Sequence, residues 1–347
     1  MKVLFAPDYR HGNAYQQLLA DALASGEKIA VDFLHGFRRV MPLARALQKR
    51  DDDIFHLHWP EAYFQHELDA ADWFRRARYR LDLMLATRRV PLVVTAHDLR
   101  PHARNTHAFV FENYRYTMYR ARAVIVHSEA ARETLAATYG VAREKCVVIP
   151  HGDLSVTLGE MQSREAARAD LGVDENARIC LIFGAVEPYK GIEPIVDWWR
   201  KNNPRATLVI AGKPITDEYK NRIENLAANA SNIRLHLAWQ SGENLRQWLA
   251  AADCTVFNHR EIFTSGAACL ARSIGLPILI PHRLDTVDLM EPHPLVFRFE
   301  SFEKDFAPQL ERAFAARPDF AAAREWRERT SWPLIARETA QVYRRFA

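Results

Sequence analysis

Short apolar runs alternate with helix-length segments along the whole chain, and the alternation stops and restarts once near its middle. The runs at residues 2–6, 29–34, 54–59, 92–97, 123–127 and 147–150 are almost continuously apolar or β-branched. A sheet with one wet face would alternate polar and apolar residues. Continuous runs instead predict parallel strands covered by helices on both faces. Helical patterns fall between them at 14–24, 40–49, 69–87, 109–120 and 129–139. After Pro150-His-Gly-Asp153 a polar stretch from Leu154 to about Asn176 interrupts the pattern. Strands are then expected at 179–183, 207–211, 233–237, 254–257, 277–280 and 296–299, and helices at 193–201, 217–228, 242–251, 265–274 and 306–315. A last helix, 332–345, follows Thr330-Ser331 as its N-cap. The chain reads as two doubly wound, Rossmann-like α/β halves with a cleft between them.

Composition narrows the class. At 347 residues the chain exceeds one ordinary core and suits two. No apolar stretch approaches the roughly 20 residues that span a bilayer. The apolar start ends at Asp8 and Arg10, too soon for a secretion signal, so it is expected to be the first strand. The cysteines Cys146, Cys180, Cys254 and Cys269 are scattered, without metal-ligand spacing, which predicts a reducing cytoplasm and no structural zinc. Residues 1–150 carry a net charge of +5 and the remainder −1. Much of the excess lies in residues 73–89, where Arg is interleaved with Trp, Phe and Tyr. That segment is either a solvated helix face or a patch for an anionic membrane surface. No nucleic-acid-binding pattern accompanies it.

Open α/β sheets bind ligands past the carboxyl ends of their strands, so five segments are candidates. In Pro7-Asp-Tyr-Arg-His-Gly-Asn-Ala-Tyr15, Gly12 would let backbone N–H groups approach an anion at a helix start. The absence of G-x-G-x-x-G argues against a nicotinamide or flavin dehydrogenase. In His56-Leu-His-Trp-Pro-Glu61, alternation puts His56 and His58 on one face, with Trp59 and Glu61 beyond; core histidines are an equal reading. In Thr95-Ala-His-Asp-Leu-Arg-Pro-His102, His97 followed by Asp98 suits contact with a hydroxyl. In Phe183-Gly-Ala-Val-Glu-Pro-Tyr-Lys-Gly191, Gly184 and Gly191 frame Lys190, a cation for a diphosphate. In Asn258-His-Arg-Glu-Ile-Phe-Thr-Ser-Gly-Ala-Ala268, Thr264, Ser265 and Gly266 open a helix, with Arg260 and Glu261 on the approach.

In this order and spacing the segments resemble the GT-B glycosyltransferases, and among them glycosyltransferase family 4 and bacterial exopolysaccharide mannosyl- and glucosyltransferases. The resemblance covers essentially the whole chain. It implies an acceptor-binding domain at 1–152, a nucleotide-sugar-binding domain at 153–330, and a helix at 331–347 crossing back to the first. It implies a cytoplasmic hexosyltransferase, peripheral on the inner face of the membrane. The donor would be GDP-mannose or a UDP-hexose, the acceptor a lipid-linked saccharide in surface-polysaccharide or glycolipid synthesis. Neither metal nor cofactor is expected beyond the donor itself. Lys190, with the backbone at Gly184, Ser265 and Gly266, would stabilise the departing diphosphate. Arg260 and Glu261 would orient donor sugar and phosphate, with Thr264 and Gly12 also on the donor side. His97 would meet the reacting hydroxyl or the sugar C6 region, with His58, Trp59, Glu61 and Asp98 lining the acceptor side.

Two departures from the family pattern stand out. Ala185 occupies the place of an arginine that usually assists the lysine. Cys269 and Leu270 occupy the place of a second glutamate that holds the ribose, so other groups, Arg260 among them, must recognise the nucleotide. A sugar-nucleotide 2-epimerase and a non-catalytic nucleotide-sugar-binding subunit are the alternatives.

Overall fold

The computed structural model describes residues 1–36, 40–64, 72–99, 108–260, 263–284, 294–316 and 320–347. The chain forms two compact units, Met1–Gly152 with Arg329–Ala347, and Asp153–Glu328.

In the first unit, β1 (Lys2–Ala6), β2 (Ala30–Phe33), β3 (Ile54–Leu57), β4 (Leu92–Thr95), β5 (Ala123–Val126) and β6 (Cys146–Val148) form a parallel sheet in the order β2-β1-β3-β4-β5-β6. The strands are connected through α1 (Tyr15–Glu27), α2 (Pro42–Gln48), α3 (Asp72–Ala86), α4 (Ala108–Arg120) and α5 (Glu129–Tyr139). The strand order reverses between β1 and β3, which opens a crevice at their carboxyl ends. Strands β3, β4 and β5 stop one or two residues short of the apolar runs. The residues left over, His58, His97 and His127, therefore sit at the sheet's carboxyl edge rather than inside its ladder.

The second unit repeats the plan with β7 (Ile179–Phe183), β8 (Thr207–Ala211), β9 (Ile233–His236), β10 (Cys254–Val256), β11 (Ile278–Pro281) and β12 (Val296–Phe299), ordered β12-β11-β10-β7-β8-β9. Alternate residues serve opposite faces. Cys180, Ile182, Leu208 and Ile210 pack with Trp199 and Phe306, while Ile179, Leu181, Phe183 and Val209 pack with Trp248 and Leu249. Both faces of β7, β8, β10 and β11 are buried, which is why those runs are apolar, while the edge strand β9 exposes Arg234 and His236. Its helices are α6 (Arg164–Asp170), α7 (Ile192–Asn202), α8 (Asp217–Ala227), α9 (Gly242–Ala251), α10 (Gly266–Ser273), α11 (Phe306–Ala315) and α12 (Phe320–Arg329).

Helices α6 and α12 lie where periodicity predicts none. The buried face of α6 is Ala167 and Arg168, so no apolar stripe announces it. Arg168 is 1% exposed; its guanidinium donates to the carbonyls of Ala251, Glu175 and Ala177 and pairs with Asp253 at 2.9 Å. Helix α12 is half charged and holds Trp326 under the Arg272 guanidinium at 4.0 Å. The last helix, α13 (Trp332–Arg344), packs along α1 in the first unit. Ser331 occupies its N-cap position but makes no side-chain capping bond. The Trp332 ring fills the space where any side chain at Gly152 would stand, 2.4 Å from an added Cβ.

Candidate active site

In the second unit the carboxyl ends of β7 and β10 flank the point where strand order reverses, the expected ligand crevice. After β7 the chain turns through Gly184 at φ 85° and reaches Lys190 at the end of a short 3-10 turn. Gly191, at φ 59°, then opens α7. Glycine is required there twice over, by the left-handed backbone and because a Cβ would lie 2.4 Å from the Asn258 carbonyl. Lys190 is 8% exposed, and its ammonium donates to the Phe183 carbonyl at 3.4 Å. Burial pulls its pKa down to about 8, opposed by the charge of Glu187. A buried ammonium so thinly solvated favours an incoming anion.

The loop after β10 is tied to this turn. Asn258 donates to the Gly191 carbonyl at 2.8 Å, and the Arg260 amide to the Tyr189 carbonyl at 2.7 Å. Arg283, just past β11, braces the same loop from the next strand, donating to the Asn258 side chain at 2.6 Å. Nothing in the pattern around Arg283 marked it in advance, because its role depends on β11 lying beside β10. Ser265 caps α10 by accepting from the Ala268 amide at 3.2 Å, which orients the helix start at Gly266. The Arg260 side chain is exposed, and the buried Thr264 hydroxyl has no hydrogen-bond partner among the described residues. Glu261 lies outside the described residues.

In the first unit, four consecutive strands each carry a histidine at or just past the carboxyl end. His58 follows β3, His97 β4, His127 β5 and His151 β6, and all are buried. Tyr15 of α1 presents its ring to all four, with centroids 4.7–6.0 Å away. His58 Nδ1 lies 3.1 Å from His97 Nε2, and His97 Nδ1 lies 3.2 Å from His127 Nε2. His127 Nδ1 meets the Ile149 carbonyl at 2.9 Å. Desolvation first, and neighbouring imidazoles second, hold His58 and His97 well below the usual histidine pKa. Burial takes His127 down to about 3. His56 stacks on His58 at 4.2 Å, and its nitrogens engage Tyr343 and Thr95 at 2.6 and 2.8 Å, so His56 is a core histidine.

Trp59, half-buried, stacks on His97 at 4.4 Å. Glu61 accepts from the Tyr114 hydroxyl at 2.5 Å, and Asp98 is half-buried beside His97. The Gly12 amide donates to the Tyr9 carbonyl at 3.1 Å within the turn that leads to α1. His127 and His151 escaped the sequence reading because single strand-end histidines are common and only the sheet assembles them.

At the opposite, amino edge of the same sheet, Arg88, Arg89, Arg120, Arg122, Lys145 and Arg345 line a cavity of about 770 Å³ whose lining includes no carboxylate side chain. Among the described residues, no group of three or more His, Cys, Asp or Glu is arranged to hold a metal. No helix among them is long and apolar enough to cross a membrane.

Two parallel sheets, each reversing its strand order once, are the GT-B architecture, and solved structures of known glycosyltransferases share this fold. Residues 3–153 match the family Glycosyltransferase Family 4, and residues 163–278 match Glycosyl transferases group 1. A GDP-mannose:glycolipid 4-beta-D-mannosyltransferase of Xanthomonas campestris is 28% identical over 70% of this chain and 65% of its own length. The match thus spans just under two thirds of that relative. Among solved structures, Anabaena HepE in complex with UDP-glucose superposes with a TM-score of 0.72 at 16% identity, covering 99% of this chain and 100% of that one. Sucrose-phosphate synthase of Thermosynechococcus elongatus gives 0.74 at 17%, covering 99% and 98%.

Proposed function

We propose that the protein transfers a hexose from a nucleoside diphosphate sugar to a hydroxyl of a lipid-linked saccharide. The observation that carries this reading is Lys190, a buried ammonium in a glycine-framed turn at the crevice between β7 and β10. In glycosyl transfer the anomeric carbon becomes positive while the departing diphosphate gains negative charge, so a fixed cation contributes most where that charge develops. Lys190, the N–H groups opening α10 and the side chains of Arg260, Glu261 and Thr264 would hold the donor without a metal. The histidine edge of the first unit would receive the acceptor, with Trp59, Glu61 and Asp98 around it. GDP-mannose is the first donor to test, since the Xanthomonas relative is named for it, and a UDP-hexose the second.

The test is a donor panel against lipid-linked saccharide, with nucleotide binding measured separately. Transfer from one donor, abolished in Lys190→Ala, supports the reading. Nucleotide binding without transfer to any acceptor would favour a binding subunit, and interconversion of the free sugar nucleotide an epimerase.

A further inference from the structure

The first unit's histidines form a directional chain whose tautomers are dictated from one end. A carbonyl oxygen only accepts hydrogen bonds, so His127 carries its proton on Nδ1, facing Ile149. Burial keeps that ring neutral at physiological pH, which leaves His127 Nε2 as a bare lone pair. His97 must therefore donate through Nδ1, leaving its own Nε2 bare. His58 must in turn donate through Nδ1 to His97. The chain ends at His58 Nε2, a lone pair on a ring 1% exposed, with no hydrogen-bond partner among the described residues. Both nitrogens of His97 are engaged by other histidines, so any direct contact with a hydroxyl falls to His58.

We propose that His58 Nε2 is the atom that meets the acceptor hydroxyl, and that His97 and His127 are positioning residues that fix its tautomer. This rests on the transferase reading above. The hydroxyl oxygen forms its bond to the anomeric carbon as the bond from that carbon to the phosphate oxygen breaks, its electron pair leaving on the diphosphate. The hydroxyl proton passes to His58 Nε2. The His58 Nδ1 proton can then move to His97 Nε2 and the His97 Nδ1 proton to His127 Nε2, spreading the positive charge toward the Ile149 carbonyl. Trp59, stacked on His97 and 5.7 Å from His58, is the half-buried ring through which the chain borders the surface.

Nitrogen NMR of histidine-labelled protein at neutral pH tests the chain without any substrate. His58, His97 and His127 should all show the Nδ1–H tautomer, the less common form of free histidine. An Nε2–H form at His58 or His97 overturns the chain. Replacing His127 by Asn keeps a donor for Ile149 and removes the Nε2 acceptor. It should release His97 and His58 to the Nε2–H form and slow transfer at least tenfold. His58→Asn keeps the donor to His97 but loses the outer lone pair, so kcat/KM for the acceptor should fall at least a hundredfold with nucleotide affinity unchanged. His58→Gln offers an amide oxygen that can accept the hydroxyl's hydrogen bond but cannot hold its proton, so transfer should fall at least tenfold there too. Full transfer activity in either variant overturns the proposal, while turnover by the wild type leaves the transferase reading standing. A wild type inactive with every donor and acceptor sinks that reading and this inference with it.

Discussion

Burial lowers the pKa of Lys190 and of the buried histidines, and each makes pH a measurable handle. Lys190, with its folded pKa near 8 against 10.5 when unfolded, binds fewer protons in the native state between those values. Its contribution to stability therefore rises with pH from about 8 to 10.5. Nucleotide affinity should run the other way, flat below pH 8 and falling above it as the ammonium is lost; affinity constant to pH 10 would remove Lys190 from the anion site. Lys190→Ala should weaken nucleoside diphosphate binding by about 1.5–3 kcal/mol, the range for a charge-assisted hydrogen bond. Titration calorimetry with GDP and UDP checks both. Lys190 was legible in sequence because a lysine between glycines after an apolar strand is locally encoded. Arg283 was not, since its partners are 24 and 25 residues away in sequence.

At the scale of elements, the glycines separate structural need from mere occurrence. Gly191→Ala should cost at least about 1–2 kcal/mol from its left-handed backbone alone, and more by pressing on the Asn258 carbonyl. Gly212→Ala should be worse, since its Cβ would sit 1.8 Å from the Gly184 carbonyl oxygen. Gly12→Ala, with nothing within 4 Å of its added Cβ, should lie within about 0.5 kcal/mol of wild type. Urea melts of the three variants rank them; a Gly12 variant as unstable as the Gly191 one would contradict the turn described. The expected strands all form; the central ones follow from continuous apolar runs that encode burial on both faces, while the edge strands β2 and β9 leave alternate residues exposed. Helix α6 stayed hidden because a buried arginine satisfied by carbonyls carries no apolar period.

For the whole molecule, acid and membrane are the two tests. Histidines with depressed folded pKa values contribute stability above pH 6.5 and lose it as pH falls toward 3. The first unit should therefore soften below pH 6.5, by up to about 1.4 kcal/mol per pH unit for each imidazole. Hydrogen exchange at pH 7 and pH 5 measures this, and equal protection at both would mean the rings are already charged. The basic cavity at the amino edge is the surface on which to test the membrane expectation. Binding to anionic vesicles should exceed binding to neutral ones and fall as salt rises. Arg88→Gln with Arg89→Gln and Arg122→Gln should weaken it severalfold; undiminished cosedimentation would exclude this cavity as the contact.

The sequence by itself determined the two parallel sheets, their strands, and the turn that carries Lys190. These depend on burial pattern and backbone freedom, which neighbouring residues specify. Only the tertiary structure decided that His58, His97, His127 and His151 stand side by side, and which ring nitrogen ends the chain. That outcome depends on strand order and on one carbonyl, Ile149, 22 residues from its histidine. A hydrogen-bond direction is a property of contacts between elements, and no local pattern carries it.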